Sequence, residues 1–208
     1  LNWGCIPSKS LLKNAELVNQ IKDSDKWGIS FDNVSFDFAK AISRSRDVSK
    51  QLTQGIEYLV KKNKITLFKD TASLSGDNSI KLLNSGESIS SKNVIIATGA
   101  RPRNLPNLEI DGEMIISSRE ALELKKLPKS IGIIGAGAIG VEFAYLFNAY
   151  GVEVKMFEAQ SHLVPNEDKS ISSELEKIFS SKGITFELNS TVSGTSISEN
   201  TINVEYDS

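Results

Sequence analysis

Cysteine, histidine and methionine are scarce in this chain. Its 208 residues hold one Cys, one His and two Met, and the first residue is Leu. A single thiol excludes an internal disulfide framework and suits a reducing compartment, so a cytoplasmic setting is expected. No metal site is read. Long hydrophobic runs are also lacking. The longest apolar stretch, Ile131–Val141, is interrupted by four glycines and is far too short to span a bilayer. No signal peptide is visible, although without a leading Met a removed targeting segment stays open. Charge of one sign is missing too. Lys and Arg total 24 against 26 Asp and Glu, a formal net charge of −2, so neither nucleic acid nor an acidic membrane is an expected partner. What remains is an ordinary globular balance, 39% hydrophobic and 24% charged, in a length that allows one large domain or parts of two.

Periodicity predicts a helix from Pro7 to about Lys22, with Leu11, Ala15 and Val18 at helical spacing. Trp27-Gly28-Ile29 and Phe31 read as a turn with apolar anchors. A second helix is predicted from Asp37, as N-cap, to about Lys62, burying Phe38, Ile42, Leu52, Ile56 and Leu59. Ile65–Phe68, Ser79–Leu83 and Asn93–Ala97 then read as strands, with Ser75-Gly76-Asp77-Asn78 as a turn between them. The continuous apolar run Val94–Ala97 is expected to be buried on both faces. Three prolines between Pro102 and Pro128 place a domain crossing there.

From Ile131 the pattern becomes strand 131–134, helix 138–149 with Gly151 as its C-cap, and strand 152–157. A helix follows from about Asp168 to Lys182 with Ile171, Leu175 and Ile178 on its apolar face, then short strands near 184–188, 191–197 and 201–206. Alternation of strand and helix predicts α/β architecture.

Within that unit lies Gly135-Ala136-Gly137-Ala138-Ile139-Gly140-Val141-Glu142, after an apolar strand and at the opening of a helix. The spacing is that of a dinucleotide-binding turn. Gly135 permits the tight turn, Gly137 lets backbone approach a pyrophosphate, and Gly140 lets helix and strand pack closely. The phosphates would meet free N–H groups at the helix N-terminus. Glu158, at the end of the next strand, would accept from the ribose hydroxyls. It would repel a 2′-phosphate, and Ala159 to His162 supply no Arg to receive one, so NAD is favoured over NADP. Cys5 stands at an expected helix start with Lys9 one turn later, two features that favour a thiolate.

Asn2-Trp3-Gly4-Cys5-Ile6-Pro7-Ser8-Lys9 resembles the redox-active site of the flavoprotein disulfide reductases, the class I pyridine nucleotide-disulfide oxidoreductases. Within the family it is most similar to the members that oxidise a lipoyl dithiol. The family's motif is Cys, four residues, Cys, then Ile/Val-Pro-Ser/Thr-Lys, so the partner cysteine is expected directly before Leu1 and the chain reads as an internal fragment. Ala97-Thr98-Gly99-Ala100-Arg101-Pro102 resembles the family's turn beside the flavin nucleotide, and His162 to Gly183 resembles the corresponding helix region.

The resemblance implies two Rossmann-like nucleotide-binding domains, both incomplete: residues 1–115 as part of an FAD domain and 116–208 as a C-terminally truncated NAD domain. It implies FAD and NAD as cofactors and a dithiol substrate, most closely a lipoyl group. Cys5 would be the flavin-facing thiol, with Lys9 and Glu142 paired where flavin and nicotinamide meet. Ala72 and Thr98, Gly99 and Ala100 match FAD contacts, and Val192 matches an NAD-adenine contact. A homodimeric parent, docked to a 2-oxo acid dehydrogenase complex, follows by the same resemblance. The family's catalytic His belongs to a further domain, so His162 is expected at the surface. The rival readings are a mercuric or glutathione reductase and a non-catalytic nucleotide-binding redox sensor. On its own, the fragment is expected to be inactive.

Overall fold

Eighteen residues from Cys5 to Lys22 form the first helix, α1, and bury Pro7, Leu11, Ala15 and Val18. These positions lie three or four apart and so share one face. The computed structural model describes residues 1–76, 78–106, 108–199 and 201–208; the expected turn at Ser75–Asn78 includes Asp77, which lies outside the described residues. A 3₁₀ turn, Ser24–Trp27, follows α1. The apolar anchors expected after it are solvent-exposed instead, Trp27 at 80%.

Helix α2 runs Phe38–Lys62, and the Asp37 carboxylate accepts the Lys40 N–H at 2.9 Å, as an N-cap should. Its buried positions are Phe38, Ala41, Ile42, Ser45 and Ser49. Leu52, Ile56 and Leu59, expected on that face, are exposed. The core ends where the helix leaves one compact unit for another. Those units are Leu1–Thr53 with Arg103–Ser208, and Gln54–Pro102.

The Gln54–Pro102 unit contains the end of α2 and an antiparallel meander of β1 (Ala72–Leu74), β2 (Ser79–Leu82) and β3 (Ser88–Ser90). Ala72 pairs with Leu82 and Ile80 with Ile89. The Asp70 carboxylate accepts the N–H groups of Thr71, Asn84 and Ser85, which ties the β2–β3 turn to the start of β1. Ile65–Phe68 and Asn93–Ala97 form no strand, and Ile95 is 90% exposed. A run buried on both faces needs paired strands at its edges and covered faces, and the described residues pair no strand with it.

The other unit holds the βαβ pattern. After a short helix α3 (Ser118–Ala121) with a Ser117–Glu120 capping box, β4 (Ser130–Ile134), α4 (Ala138–Ala149) and β5 (Glu153–Phe157) follow in order. Helix α5 (Lys169–Ser181) and β6 (Thr185–Glu187) complete a parallel sheet ordered β4-β5-β6, with Ile131 opposite Val154 and Met156 opposite Phe186. An antiparallel pair, β7 (Thr191–Ser198) and β8 (Thr201–Asp207), closes the chain, with a bulge between Val192 and Gly194.

Tyr150 caps α4, and Gly151, one residue beyond, takes the left-handed φ of 85° expected of a helix stop. On α5 the buried residues are Ser172 and Phe179, with Leu175 packed beside the core; Ile171 and Ile178 are exposed, contrary to expectation. Their two positions, seven apart, lie one residue to the solvent side of Ser172 and Phe179.

One core binds this unit together. Leu11 and Ala15 of α1, Phe38 and Ile42 of α2, and Phe143, Ala144 and Phe147 of α4 all belong to it. The Phe38 and Phe147 rings stand 6.3 Å apart. Burying a side chain such as Phe147 stabilises by about 1.5–3 kcal/mol, so α1 is seated on α4 by apolar contact before any polar contact is counted.

Candidate functional site

The glycine turn lies at the end of β4. Gly135 turns the chain at φ 94°, a left-handed value, and its N–H donates to the Phe157 carbonyl at 2.8 Å. A Cβ on Gly140 would lie 2.0 Å from the Gly135 carbonyl oxygen, so only glycine allows α4 to start this close to the strand. Gly137 is the N-cap of α4, at φ −71°, and no side chain caps the helix there. A Cβ on Gly137 would meet nothing within 4 Å. Gly137, Ala138 and Ile139 are exposed, and the first N–H groups of any α-helix lack intrahelical partners. Uncapped donors, a twelve-residue helix dipole and open space beyond Gly137 fit a pyrophosphate.

Ala136 is buried behind this opening, and its peptide groups are held from both sides. Its N–H donates to Glu158 Oε2 at 2.7 Å, and its carbonyl accepts the Val164 N–H at 2.8 Å. Val164 does so from a φ of 44°, an uncommon conformation for a β-branched residue. Glu158, 7% exposed, follows β5 directly, and its second oxygen accepts the Gln160 N–H at 2.8 Å. A carboxylate has about four lone-pair sites, so two acceptor positions remain for ribose hydroxyls. The dinucleotide fits this turn.

Cys5 is exposed and is the first residue of α1. Lys9 stands one turn further along the same face. Its ammonium forms an ion pair with Glu142 of α4, two residues beyond Gly140. The hydrogen bond that Lys9 donates to Glu142, then the Glu142 charge and more weakly Cys5, hold Lys9 above the usual lysine value. A lysine raised in the folded state gives its full stabilisation below its unfolded value and loses it only as pH climbs through the raised one, so this pair is intact at neutrality. With the lysine side chain 65% exposed, the pair adds little to stability and serves mainly to fix position. Tyr150 with Asn14, Asn19 with Tyr145 (3.2 Å) and Lys22 with the Ala149 carbonyl (2.7 Å) continue the α1–α4 seam.

The structure thus brings Cys5, Lys9, Glu142, the glycine turn with Val141, and Glu158 into one unit. Val192 lies in β7 of the same unit, half-buried and opposite Tyr206. Ala72, Thr98, Gly99 and Ala100 lie in the Gln54–Pro102 unit, all exposed. His162 is half-buried rather than at the open surface, with its Nδ1 3.3 Å from the Ser172 hydroxyl. Sequence reasoning missed Trp3, Arg46 and Arg119. Their contacts are cation–π pairs between distant positions, for which spacing carries no signal.

Comparison with known proteins bears on the family and the fold. The profile of the pyridine nucleotide-disulphide oxidoreductases matches residues 1–207. A dihydrolipoyl dehydrogenase of Chlorobaculum parvum is 39% identical over 208 residues, covering 99% of this chain and 44% of that protein. One of Mycobacterium tuberculosis is 43% identical over 189 residues, covering 89% and 40%. Among solved structures, LpdA from Mycobacterium tuberculosis superposes with a TM-score of 0.88 over 99% of this chain and 46% of that one. At 22% identity that likeness speaks for the fold alone. The HOCl-induced flavoprotein disulfide reductase RclA from Escherichia coli superposes at 0.80 with 30% identity, covering 98% and 43%. This chain therefore spans less than half the length of these relatives. The family uses FAD and NAD(H), and no helix among the described residues is long and apolar enough to cross a membrane. On the match across residues 1–207 the chain belongs to the pyridine nucleotide-disulphide oxidoreductase family.

Proposed function

We propose that this chain is part of an NAD-dependent dihydrolipoyl dehydrogenase that oxidises a lipoyl dithiol. The observation that carries the reading is the Lys9–Glu142 pair, which links the helix of the lone thiol to the first turns of the dinucleotide helix. In this reading residues 1–115 contribute to an FAD domain, with Ala72 and Thr98–Ala100 lining the flavin nucleotide, and 116–208 contribute to an NAD domain. FAD, when bound, supplies a two-electron relay between the thiol pair and the nicotinamide.

The chain's own residues have separate tasks. In this reading Cys5 pairs, in the full protein, with a partner cysteine directly before Leu1, outside this chain. One substrate sulfur attacks that partner cysteine and releases Cys5 as the leaving thiolate. Attack by the second substrate sulfur frees the substrate as a disulfide and leaves the cysteine pair reduced by two electrons. Glu142 fixes where the Lys9 ammonium points. Gly137 admits the NAD pyrophosphate, Glu158 accepts from the ribose hydroxyls, and Val192 borders the adenine. A cytoplasmic homodimer docked on a 2-oxo acid dehydrogenase complex completes the reading.

The test is NADH formation from dihydrolipoamide by the full protein. Turnover should favour NAD over NADP by about tenfold or more, or ~1.4 kcal/mol. Glu142→Gln should slow electron exchange with NAD about tenfold, the size expected when a charge-assisted hydrogen bond weakens, and leave reduction by dithiol unchanged. An unaltered NAD half-reaction would remove that role from Glu142. The 30% identity to RclA favours a second reading, a disulfide reductase for another substrate. Absence of dihydrolipoamide turnover alongside an active NADH-linked thiol pair would select it.

A further inference from the structure

The turn that precedes Cys5 is held from outside its own helix. Gly4, the N-cap of α1, makes no side-chain capping bond. Instead Arg46 of α2 donates from Nη2 to the Asn2 carbonyl at 2.5 Å, and the Thr53 hydroxyl reaches Asn2 Oδ1 at 3.3 Å. Trp3 meets two guanidinium groups, Arg46 at 4.9 Å and Arg119 at 4.2 Å from its ring centroid. Arg119 comes from α3, whose first turn the Ser117–Glu120 capping box fixes. A planar guanidinium over an indole face is the best geometry for such a contact. Arg46 leaves Nε buried without a partner, a cost retained where its head group is committed to Asn2 and Trp3.

We infer that Arg46 and Arg119 are positioning residues that clamp Trp3 and so set the redox equilibrium of Cys5. The inference rests on the proposed disulfide between Cys5 and a cysteine directly before Leu1. Four residues, Leu1 to Gly4, then separate the two cysteines, and the clamp grips two of them. A loop already ordered in the dithiol form loses little freedom when the S–S bond closes, which keeps each thiol at high effective concentration for the other. A loosened loop favours the reduced pair.

The experiment equilibrates the full protein with dithiothreitol mixtures. Two electrons and two protons pass from the cysteine pair to oxidised dithiothreitol, whose S–S bond breaks as the protein's forms. Arg119→Ala and Trp3→Leu should each shift the constant at least threefold toward the dithiol, about 14 mV at 29.6 mV per decade. Arg119→Lys, which keeps the cation, should restore part of the shift. Arg119 is exposed, so the melting temperature of its variants should match the unaltered protein. A wild-type constant in both Arg119→Ala and Trp3→Leu overturns the clamp while leaving the disulfide reading intact. If the unaltered protein has no reducible disulfide at Cys5, the proposed function itself fails, and the clamp with it.

Discussion

Gly140→Ala should disrupt the dinucleotide turn and unfold the protein more easily, whereas Gly137→Ala should leave the fold standing and weaken dinucleotide binding. The two glycines sit three residues apart and fail for opposite reasons. A methyl at Gly140 would lie 2.0 Å from the Gly135 carbonyl oxygen and 3.1 Å from its carbonyl carbon. Both are backbone atoms, so no side chain can swing away. The helix must withdraw from the strand, and Gly135 is itself tied to Phe157 by its N–H. Overpacking costs about 1–3 kcal/mol and occasionally more; with a backbone clash, about 3 kcal/mol or more is expected here. Gly137 has an ordinary φ of −71° and open space where its Cβ would go. Its alanine variant should therefore melt like the unaltered protein but bind NAD about tenfold or more weakly, ~1.4 kcal/mol, because the methyl occupies the approach to the pyrophosphate. Denaturant unfolding beside NAD titration reads both effects. Equal stability of the two variants would contradict the close packing at Gly140.

The second large effect is expected at Cys5. Cys5→Ser should lower dihydrolipoamide oxidation by the full protein by on the order of 10³-fold or more, as for other residues whose loss removes a covalent step. A hydroxyl cannot close a disulfide. Cys5 is exposed and forms no disulfide within this chain, so the exchange of sulfur for oxygen disturbs no core. Electron transfer from NADH to an artificial dye should survive, because it requires the nucleotide sites and not the thiol. Loss of both activities would mean that Cys5 supports the structure rather than the reaction.

The βαβ unit was legible because each of its signals is local. β4 is an apolar run, Gly135–Gly140 punctuates it, and the apolar face of α4 ends at Gly151. Helices α1 and α2 were legible for the same reason, down to the Asp37 cap. Burial was harder to read. Leu52, Ile56 and Leu59 continue the helical period of Phe38 and Ile42 yet face solvent, because period shows which residues share a face and not what lies against it. Val94–Ala97 has the composition of a doubly buried strand, but pairing is a property of neighbours, and none among the described residues pairs with it. At the site, the resemblance brought Lys9 to Glu142 across 133 positions, which no periodicity could do. The Trp3 clamp stayed hidden because neither a helix nor a strand period relates Trp3 to Arg46 or Arg119.

The central claim is that Cys5 is one half of a redox-active disulfide, and mass spectrometry of the full protein tests it most directly. The protein is alkylated once as isolated and once after reduction by NADH, and Cys5 is mapped in each. The prediction is a disulfide from Cys5 to the residue immediately before Leu1, opened by NADH so that both thiols are alkylated. Free alkylation of Cys5 in the oxidised protein, or a bond to any other position, would contradict it.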